Sequence, residues 1–282
     1  MTSSAHTAHK WDAHSAEYAQ LFSPMTGHVA RTMLGLVSAR LPKSPAMLDI
    51  ACGPGDLAVA AAELCAGQKA GSVLATDISP GMVGIAEKAL APFKPYASCA
   101  VDNGEALGLE SETFDAAFSC FGIFLFKDRA AGWREAVRTL KPGGLLVTSV
   151  WRGPEHNKLA RTQMEPLLSA LPQRLTQPPM RAGWADIMTA EGLRDEVATA
   201  APVTDIEIHI VDTAVALPTP EAMWHAMVGN PVTGRLIGQC DDVEKEAVGR
   251  AVIAAFEQRA GGPNRPFVLT GSCHVLVARR QT

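Results

Sequence analysis

The sequence is short of aromatic residues. Only 6% of its 282 residues are aromatic (five Trp, two Tyr and nine Phe), although 47% are hydrophobic. The interior must therefore be built mainly from aliphatic side chains and alanine, so the few aromatic positions are informative. A hydrophobic content this high, with a net charge of only -4, excludes a disordered chain.

Other missing features exclude further classes of protein. No apolar run is long enough to span a membrane, and no Gly-X-Y period indicates collagen. The 25 Lys and Arg residues do not exceed the 29 Asp and Glu residues, so we expect no nucleic-acid partner. The N-terminal residues lack the apolar segment of a secretory signal, and the six cysteines form no C-x-x-C pair. We therefore expect a cytoplasmic protein with neither a metal site nor a disulfide framework.

The central part of the chain alternates between strand and helix patterns. Helical patterns occupy residues 56–66, about 79–91 and 129–140. Buried-strand patterns occupy residues 46–51, 72–77, 96–101, 113–121 and 145–151. Alternation of this kind predicts an α/β protein with a parallel sheet and helices on both faces.

The strongest functional signal is the Gly-rich turn after the first strand, LDIACGPGD at residues 48–56. Glycines allow a ligand to lie against bare backbone, and ligands of open parallel sheets bind beyond the carboxyl ends of the strands. Gly53-x-Gly55-x-x-Ala58 also fits the dinucleotide fingerprint, and Asp77 has the spacing of a ribose-binding carboxylate. Taken alone, this turn leaves an NAD-dependent oxidoreductase open.

Three further features distinguish the possible ligands. Asp49 lies inside the end of the first strand, where a carboxylate suits a cationic group better than a pyrophosphate. Asp102 and Asn103 follow the third strand, where a carboxylate could accept a hydrogen bond from an exocyclic amine. LKPGG precedes the fifth strand.

With these residues the sequence resembles the class I S-adenosylmethionine-dependent methyltransferases, in the small-molecule branch similar to ubiquinone/menaquinone C-methyltransferases. The resemblance covers residues 46–151. Its motifs are LDIACGPGD, the ATDIS that contains Asp77, GMVGIAEKA, VDNGEALGLESETFD and LKPGGLLVTSVW.

The resemblance implies a doubly wound, mostly parallel sheet of seven strands, the Rossmann-like methyltransferase fold. A sixth strand is expected at 205–213 and a seventh, antiparallel strand at 266–280. Ser23-Pro24 predicts the start of a second N-terminal helix. Four units are expected. Residues 1–45 form an N-terminal helical lid, and residues 46–151 form the cofactor-binding core. Residues 152–204 form inserted helices over the acceptor site, and residues 205–282 form C-terminal strands with a helical insertion at 218–262.

The implied cofactor is S-adenosylmethionine, and five positions would surround its methionine end. Asp49 would help to hold the ammonium group. Ala51, Gly53 and Gly55 belong to the turn that permits close approach. Cys120, at the end of the fourth strand, occupies a position whose backbone carbonyl contacts the ammonium.

Five other positions would bind the adenosine. Asp77 would accept hydrogen bonds from both ribose hydroxyls, and Ile78 and Met82 would pack on the adenine. Asp102 would accept from the adenine N6 amine, and Asn103 would offer its backbone N–H to N1.

The acceptor side is less determined. Methyl transfer is an in-line displacement, and its demand for a base depends on the acceptor. Weak candidates for a base are His156, His225 and Tyr18. The aromatic side chains expected to line the acceptor pocket are Tyr18, Phe22, Phe121, Phe124, Trp151 and Trp224.

We therefore expect methyl transfer to a small, apolar or aromatic acceptor. The alternatives are an NAD-dependent oxidoreductase and a non-catalytic, methyltransferase-like scaffold. The sequence does not distinguish a monomer from a homodimer.

Overall fold

Seven strands form one sheet in this computed structural model, which describes residues 3–175, 184–230 and 233–282. The strand order is β3-β2-β1-β4-β5-β7-β6. The strands are β1 (Ala46–Ile50), β2 (Ser72–Asp77), β3 (Ala97–Val101), β4 (Phe114–Cys120), β5 (Leu140–Trp151), β6 (Val203–Leu217) and β7 (Phe267–Arg280). β7 pairs antiparallel with β5 and β6, and the pairings among β1 to β5 are parallel. This confirms the predicted fold class.

Ten helices occur among the residues that the structure describes. They are α1 (Ser3–Val37), α2 (Asp56–Gln68), α3 (Pro80–Leu90), α4 (Arg129–Thr139), α5 (Lys158–Ala170), α6 (Trp184–Ile187), α7 (Ala190–Ala200), α8 (Pro220–Gly229), α9 (Thr233–Ile237) and α10 (Asp242–Ala260). Three short segments lie outside the described residues. They are residues 1–2 of the predicted lid, 176–183 of the predicted inserted helices and 231–232 of the predicted helical insertion.

Local chemistry explains where the central helices begin. Ser79 caps α3 by accepting a hydrogen bond from the Met82 N–H, and Pro80 occupies the first helical position, where its missing N–H costs nothing. Asp128 caps α4 in the same way through the Ala131 N–H. Helix α3 thus starts directly after the carboxyl end of β2, and α4 starts after the loop of residues 121–128 that follows β4.

The order of the strands creates a switch point between β1 and β4. From β1 the chain first adds β2 and β3 on one side, and then continues with β4 and β5 on the other. Loops that leave β1 and β4 therefore diverge and leave a crevice at the carboxyl edge of the sheet, which is where open α/β sheets bind ligands.

Helix α1 corrects the prediction of two N-terminal helices, because it continues through Pro24. A proline inside a helix removes one backbone hydrogen bond. Here Phe22 and Met25, on either side of it, are buried in one apolar cluster, while Val29 and Met33 are buried against the sheet. Burial on both sides of Pro24 outweighs the lost bond.

Three smaller differences have local causes. β5 begins at Leu140, so KPGG lies inside the strand as an irregularity, with Gly143 at φ 78°, and is not a separate turn. β6 extends from residue 203 to 217 because β7 pairs with it as far as Leu217. Helix α9 was not predicted, since five residues are too few to show a helical period.

A second apolar cluster lies beside the main core. It combines Phe22 and Met25 of α1 with residues of α5, α8, α9 and α10 and with the adjacent ends of β6 and β7. The C-terminal helices therefore have a core of their own, which α1 joins to the core of the sheet.

Glu196 of α7 connects this helix to α4. Its carboxylate accepts hydrogen bonds from the Trp133 Nε1–H at 3.0 Å and from the Arg129 guanidinium at 2.7–2.8 Å. Trp133 is fully buried, so removal of its acceptor leaves a buried donor unsatisfied.

We expect Glu196→Ala to lower the free energy of unfolding by about 1–3 kcal/mol in urea titrations. Glu246→Ala, which breaks an exposed pair with Arg250, should cost at most about 0.5 kcal/mol. Equal losses would contradict this role of Glu196.

Candidate active site

A cavity of about 700 Å³ lies over the carboxyl ends of β1, β2 and β4. Helix α1 forms one wall of it through Trp11, Tyr18 and Thr26. The volume falls within the range of small-molecule sites. The lining residues at the strand ends and in the segments that follow them are Ala51, Cys52, Gly53, Pro54, Asp56, Leu57, Asp77, Ile78, Met82, Asp102, Asn103, Gly104, Glu105, Cys120, Phe121, Gly122, Leu125, Phe126 and Lys127.

The turn after β1 brings bare backbone to the cavity wall. Ala51 and Gly53 have φ values of 55° and 54°. Within the part of the chain that the structure describes, no atom lies within 4 Å of the position that a Gly53 Cβ would take. Gly55 differs, because its Cβ would lie 3.1 Å from that of Ala86. Gly53 therefore leaves room for a ligand, whereas Gly55 permits α2 to pack on α3.

Asp77, at the end of β2, faces the same turn. Its two oxygens accept hydrogen bonds from the N–H groups of Gly53 and Ser79, each at 2.9 Å. Burial raises the pKa of Asp77, and these backbone donors oppose that effect. The Ile78 N–H acts on this carboxylate as well. Three donors leave part of the acceptor capacity of Asp77 for a ligand in the cavity, which Ile78 and Met82 also line.

Asp102 and Asn103 also line the cavity, but their polar groups have local partners. Asp102 accepts hydrogen bonds from the N–H groups of Asn103, at 2.8 Å, and of Gly108. The Asn103 side chain accepts from the Glu105 N–H. The Asn103 N–H is thus used within the turn, which does not fit its predicted bond to adenine. The Asp102 carboxylate closes this turn.

Asp49 lies beneath the turn and not on the cavity wall. Its side chain is 1% exposed, and its Oδ2 accepts a hydrogen bond from the Ala58 N–H at 3.1 Å. Among the described residues, Oδ1 has no hydrogen-bond partner. Burial raises the pKa of Asp49 well above its ordinary value.

The end of β4 supplies Cys120 and Phe121. Burial raises the pKa of the Cys120 thiol well above its usual value, which keeps the thiol neutral at pH 7. Phe121 has a φ of 55° and stacks on Trp151, with ring centroids 4.1 Å apart. Two non-glycine residues in the left-handed region, Ala51 and Phe121, thus follow the two strands at the switch point, as is common at functional sites.

The N-terminal part of α1 is attached to the start of α3. The Asp12 carboxylate accepts hydrogen bonds from the Ser79 hydroxyl and from the Gly81 N–H, the latter at 2.8 Å. The sequence around Asp12 carries no signal of this role, because the partners are 67 and 69 residues away and the local pattern is an ordinary helix.

Comparison with known proteins identifies the family. Residues 47–144 match the model of a methyltransferase domain. The chain is 32% identical over 168 residues to a demethylmenaquinone methyltransferase of Corynebacterium kroppenstedtii, covering 58% of this chain and 68% of that protein. It belongs to the S-adenosylmethionine-dependent methyltransferases.

Other relatives agree with this family. A methyltransferase of Aspergillus fumigatus is 30% identical over 137 residues, which is 48% of this chain and 47% of that protein. The chain thus spans about half the length of that relative. A solved structure of a putative methyltransferase from Bacillus halodurans shows the same fold, with a TM-score of 0.55 at 15% identity, over 90% of this chain and 99% of that one.

The aromatic residues predicted to line the acceptor pocket of this methyltransferase separate into two groups. Tyr18 and Phe121 line the cavity, and Trp151 stacks behind Phe121. Phe22 and Trp224 are buried in the cluster of C-terminal helices, and Phe124 is buried in the main core. Phe22, Phe124 and Trp224 are buried by apolar packing, which favours any large apolar side chain near a core.

None of the three candidate bases has the properties of one. His156 and His225 are exposed and outside the cavity lining; His156 lies 3.9 Å from Glu155. Tyr18 lines the cavity, but burial raises the pKa of its phenol, so it stays protonated at pH 7.

Several cavity residues of the methyltransferase carried no sequence signal. Lys127 and Arg235 bring cationic side chains to the wall, and Asp56 brings a carboxylate. Arg235 belongs to α9, the helix that was not predicted.

Among the described residues, no helix is both long and apolar enough to cross a membrane.

Proposed function

We propose that this methyltransferase uses S-adenosylmethionine to methylate a small, apolar or aromatic acceptor by in-line displacement. The observation that carries the proposal is Asp77: it is anchored by the Gly53 and Ser79 N–H groups and faces a cavity beside the open Gly53 position. A carboxylate at the end of the second strand, held by backbone N–H groups with acceptor capacity to spare, suits the hydroxyls of a ribose.

The residues present fit this cofactor. Asp77 would hold the ribose, and Ile78 and Met82 would provide an apolar wall for the adenine. When bound, the cofactor supplies a methyl carbon activated by its sulfonium. The protein's own part is to orient the acceptor, which the Phe121 ring does with support from Trp151, and to exclude water beneath α1.

Calorimetric titration tests the cofactor. We expect S-adenosylhomocysteine to bind and NAD to give no heat of binding. If NAD binds and S-adenosylhomocysteine gives no heat of binding, the proposal is wrong and an oxidoreductase is favoured. A panel of thiols, phenols, amines and quinols with tritiated methyl donor then tests catalysis, and failure with all of them would favour a scaffold.

We also propose a cytoplasmic location and no nucleic-acid partner. The six cysteines are all free, which suits a reducing compartment. The net charge of -4 gives no electrostatic attraction to a phosphate backbone.

The stacked pair of Phe121 and Trp151 gives a prediction for the acceptor. In Phe121→Ala and in Trp151→Ala, an apolar wall is lost without any change near Asp77. We expect the KM of the acceptor found in the panel to rise severalfold. The affinity for S-adenosylhomocysteine should stay within about a factor of two. A matching loss of cofactor affinity in calorimetry would contradict the assignment of this wall to the acceptor.

A further inference from the structure

Asp56 is a carboxylate of the cavity wall. It is the first residue of α2, directly after the Gly53-Pro54-Gly55 turn. Its Oδ2 accepts a hydrogen bond of 2.8 Å from the Thr26 hydroxyl of α1, and Ser23 donates a second hydrogen bond to the carboxylate. These two hydroxyls fix the orientation of the carboxylate between α1 and α2. A carboxylate has about four acceptor sites, so two donors leave capacity for a ligand.

The position of Asp77 determines which part of the donor lies near Asp56, an argument that rests on the proposed function. With the ribose at Asp77, the adenine occupies the side of β2 and β3, where Ile78 and Met82 line the cavity. The amino-acid end must then extend toward β1 and β4. The lining on that side includes Gly53, Asp56 and Cys120.

Two carboxylates on the cavity wall, Asp56 and Asp77, suit a cationic group. Both act on Tyr18, and burial raises the pKa of the Tyr18 and Cys120 groups, so both of these are neutral. Arg31 also acts on Asp56, from a separate groove that both residues line. Lys127 and Arg235 line the cavity as well, and Asp56 borders both the groove and the cavity.

Asp49, the residue predicted to hold the ammonium, is less suitable for direct contact. Its side chain is 1% exposed and absent from the cavity lining, and one of its oxygens is used by the Ala58 N–H. We propose that Asp56 binds the ammonium of the donor's amino-acid end, while Asp49 holds the turn and the start of α2 in place.

Calorimetry with two ligands tests this inference. The ligands are S-adenosylhomocysteine and its deamino analogue, S-adenosyl-4-mercaptobutyrate, which lacks only the ammonium. We expect the wild-type protein to bind S-adenosylhomocysteine at least about tenfold more tightly than the analogue, as a charged hydrogen bond would give. Asp56→Asn should remove this preference by weakening S-adenosylhomocysteine alone. Asp49→Asn, the matched control, should keep it.

Three outcomes would overturn the inference. An equal loss for both ligands in Asp56→Asn would show that Asp56 only attaches α1 to α2. A preference that persists in Asp56→Asn, or that disappears in Asp49→Asn instead, would assign the ammonium to another group. Unchanged binding of both ligands with slower methyl transfer would make Asp56 a base for the acceptor.

A second variant covers poor folding of Asp56→Asn. Thr26→Val keeps the carboxylate but removes the hydroxyl that orients it. We expect a smaller preference, reduced about two- to fivefold, with unchanged binding of the analogue; an unchanged preference would count against the inference. Failure of the wild-type protein to bind S-adenosylhomocysteine at all would instead overturn the proposed function.

Discussion

Asp77→Ala is expected to weaken the binding of S-adenosylhomocysteine at least tenfold, or about 1.4 kcal/mol in calorimetry. Two effects combine. The carboxylate that would accept hydrogen bonds from the ribose is lost, and so is the acceptor that holds the Gly53 and Ser79 N–H groups in place. The loss should therefore extend to adenosine, which lacks the amino-acid end.

Asp77→Asn weakens both effects only in part. The amide keeps the size of the side chain and one acceptor oxygen but loses the charge, so its affinity should lie between those of the wild type and Asp77→Ala. An Asp77→Ala protein that folds and binds S-adenosylhomocysteine with wild-type affinity would contradict both the ribose assignment and the proposed function.

The affinity should also depend on pH in one direction. Burial raises the pKa of Asp49, Asp56 and Asp77 above the ordinary value of 3.8. A ligand with an ammonium group favours the ionised carboxylates, so its binding at acidic pH must release protons. We expect the affinity for S-adenosylhomocysteine to fall as the pH is lowered toward the raised pKa values, and to fall less for the deamino analogue.

Gly122→Ala is expected to destabilise the protein by about 1–3 kcal/mol and to weaken cofactor binding. The new Cβ would lie 2.5 Å from the Ser119 hydroxyl and 2.7 Å from the Cβ of Ala51. Ser119 donates to the Ile50 carbonyl and accepts from the Ile123 N–H, so its displacement disturbs both β1 and the loop after β4. A shift of Ala51 displaces the turn that faces the cofactor.

Gly35→Ala is the matched control. Gly35 lies in α1, and none of the described residues has an atom within 4 Å of the position of its added Cβ. We expect this variant to be more stable than the wild type by about 0.4–1 kcal/mol, because alanine restricts the unfolded chain. Thermal or urea unfolding of both variants checks the pair. A Gly122→Ala variant as stable as Gly35→Ala would disprove the crowding argument.

The sheet and the cofactor turn could be predicted because their signals are local. Strand and helix periods, the caps at Ser79 and Asp128, and the spacing from Gly53 to Asp77 are all contained in short windows of sequence. The topology then follows from the restricted ways in which such units connect.

The remaining parts depend on contacts between distant residues. Ser23-Pro24 has the same local pattern at a helix start as inside α1, and only the burial of Phe22 and Met25 distinguishes them. Aromatic side chains suit a pocket and a core equally well, so Trp224 could not be assigned from the sequence. Thr26 and Asp56 are 30 residues apart, and no window of sequence pairs them.

The two attachments of α1 have a kinetic consequence. Asp12 bonds to the start of α3, and Ser23 and Thr26 bond to Asp56. Trp11 and Tyr18 of the same helix form a wall of the cavity. We propose that exchange of the spent cofactor for a fresh one needs the N-terminal turns of α1 to move away from the cavity. The residence time of S-adenosylhomocysteine, more than the speed of the chemical step, is expected to set the turnover number.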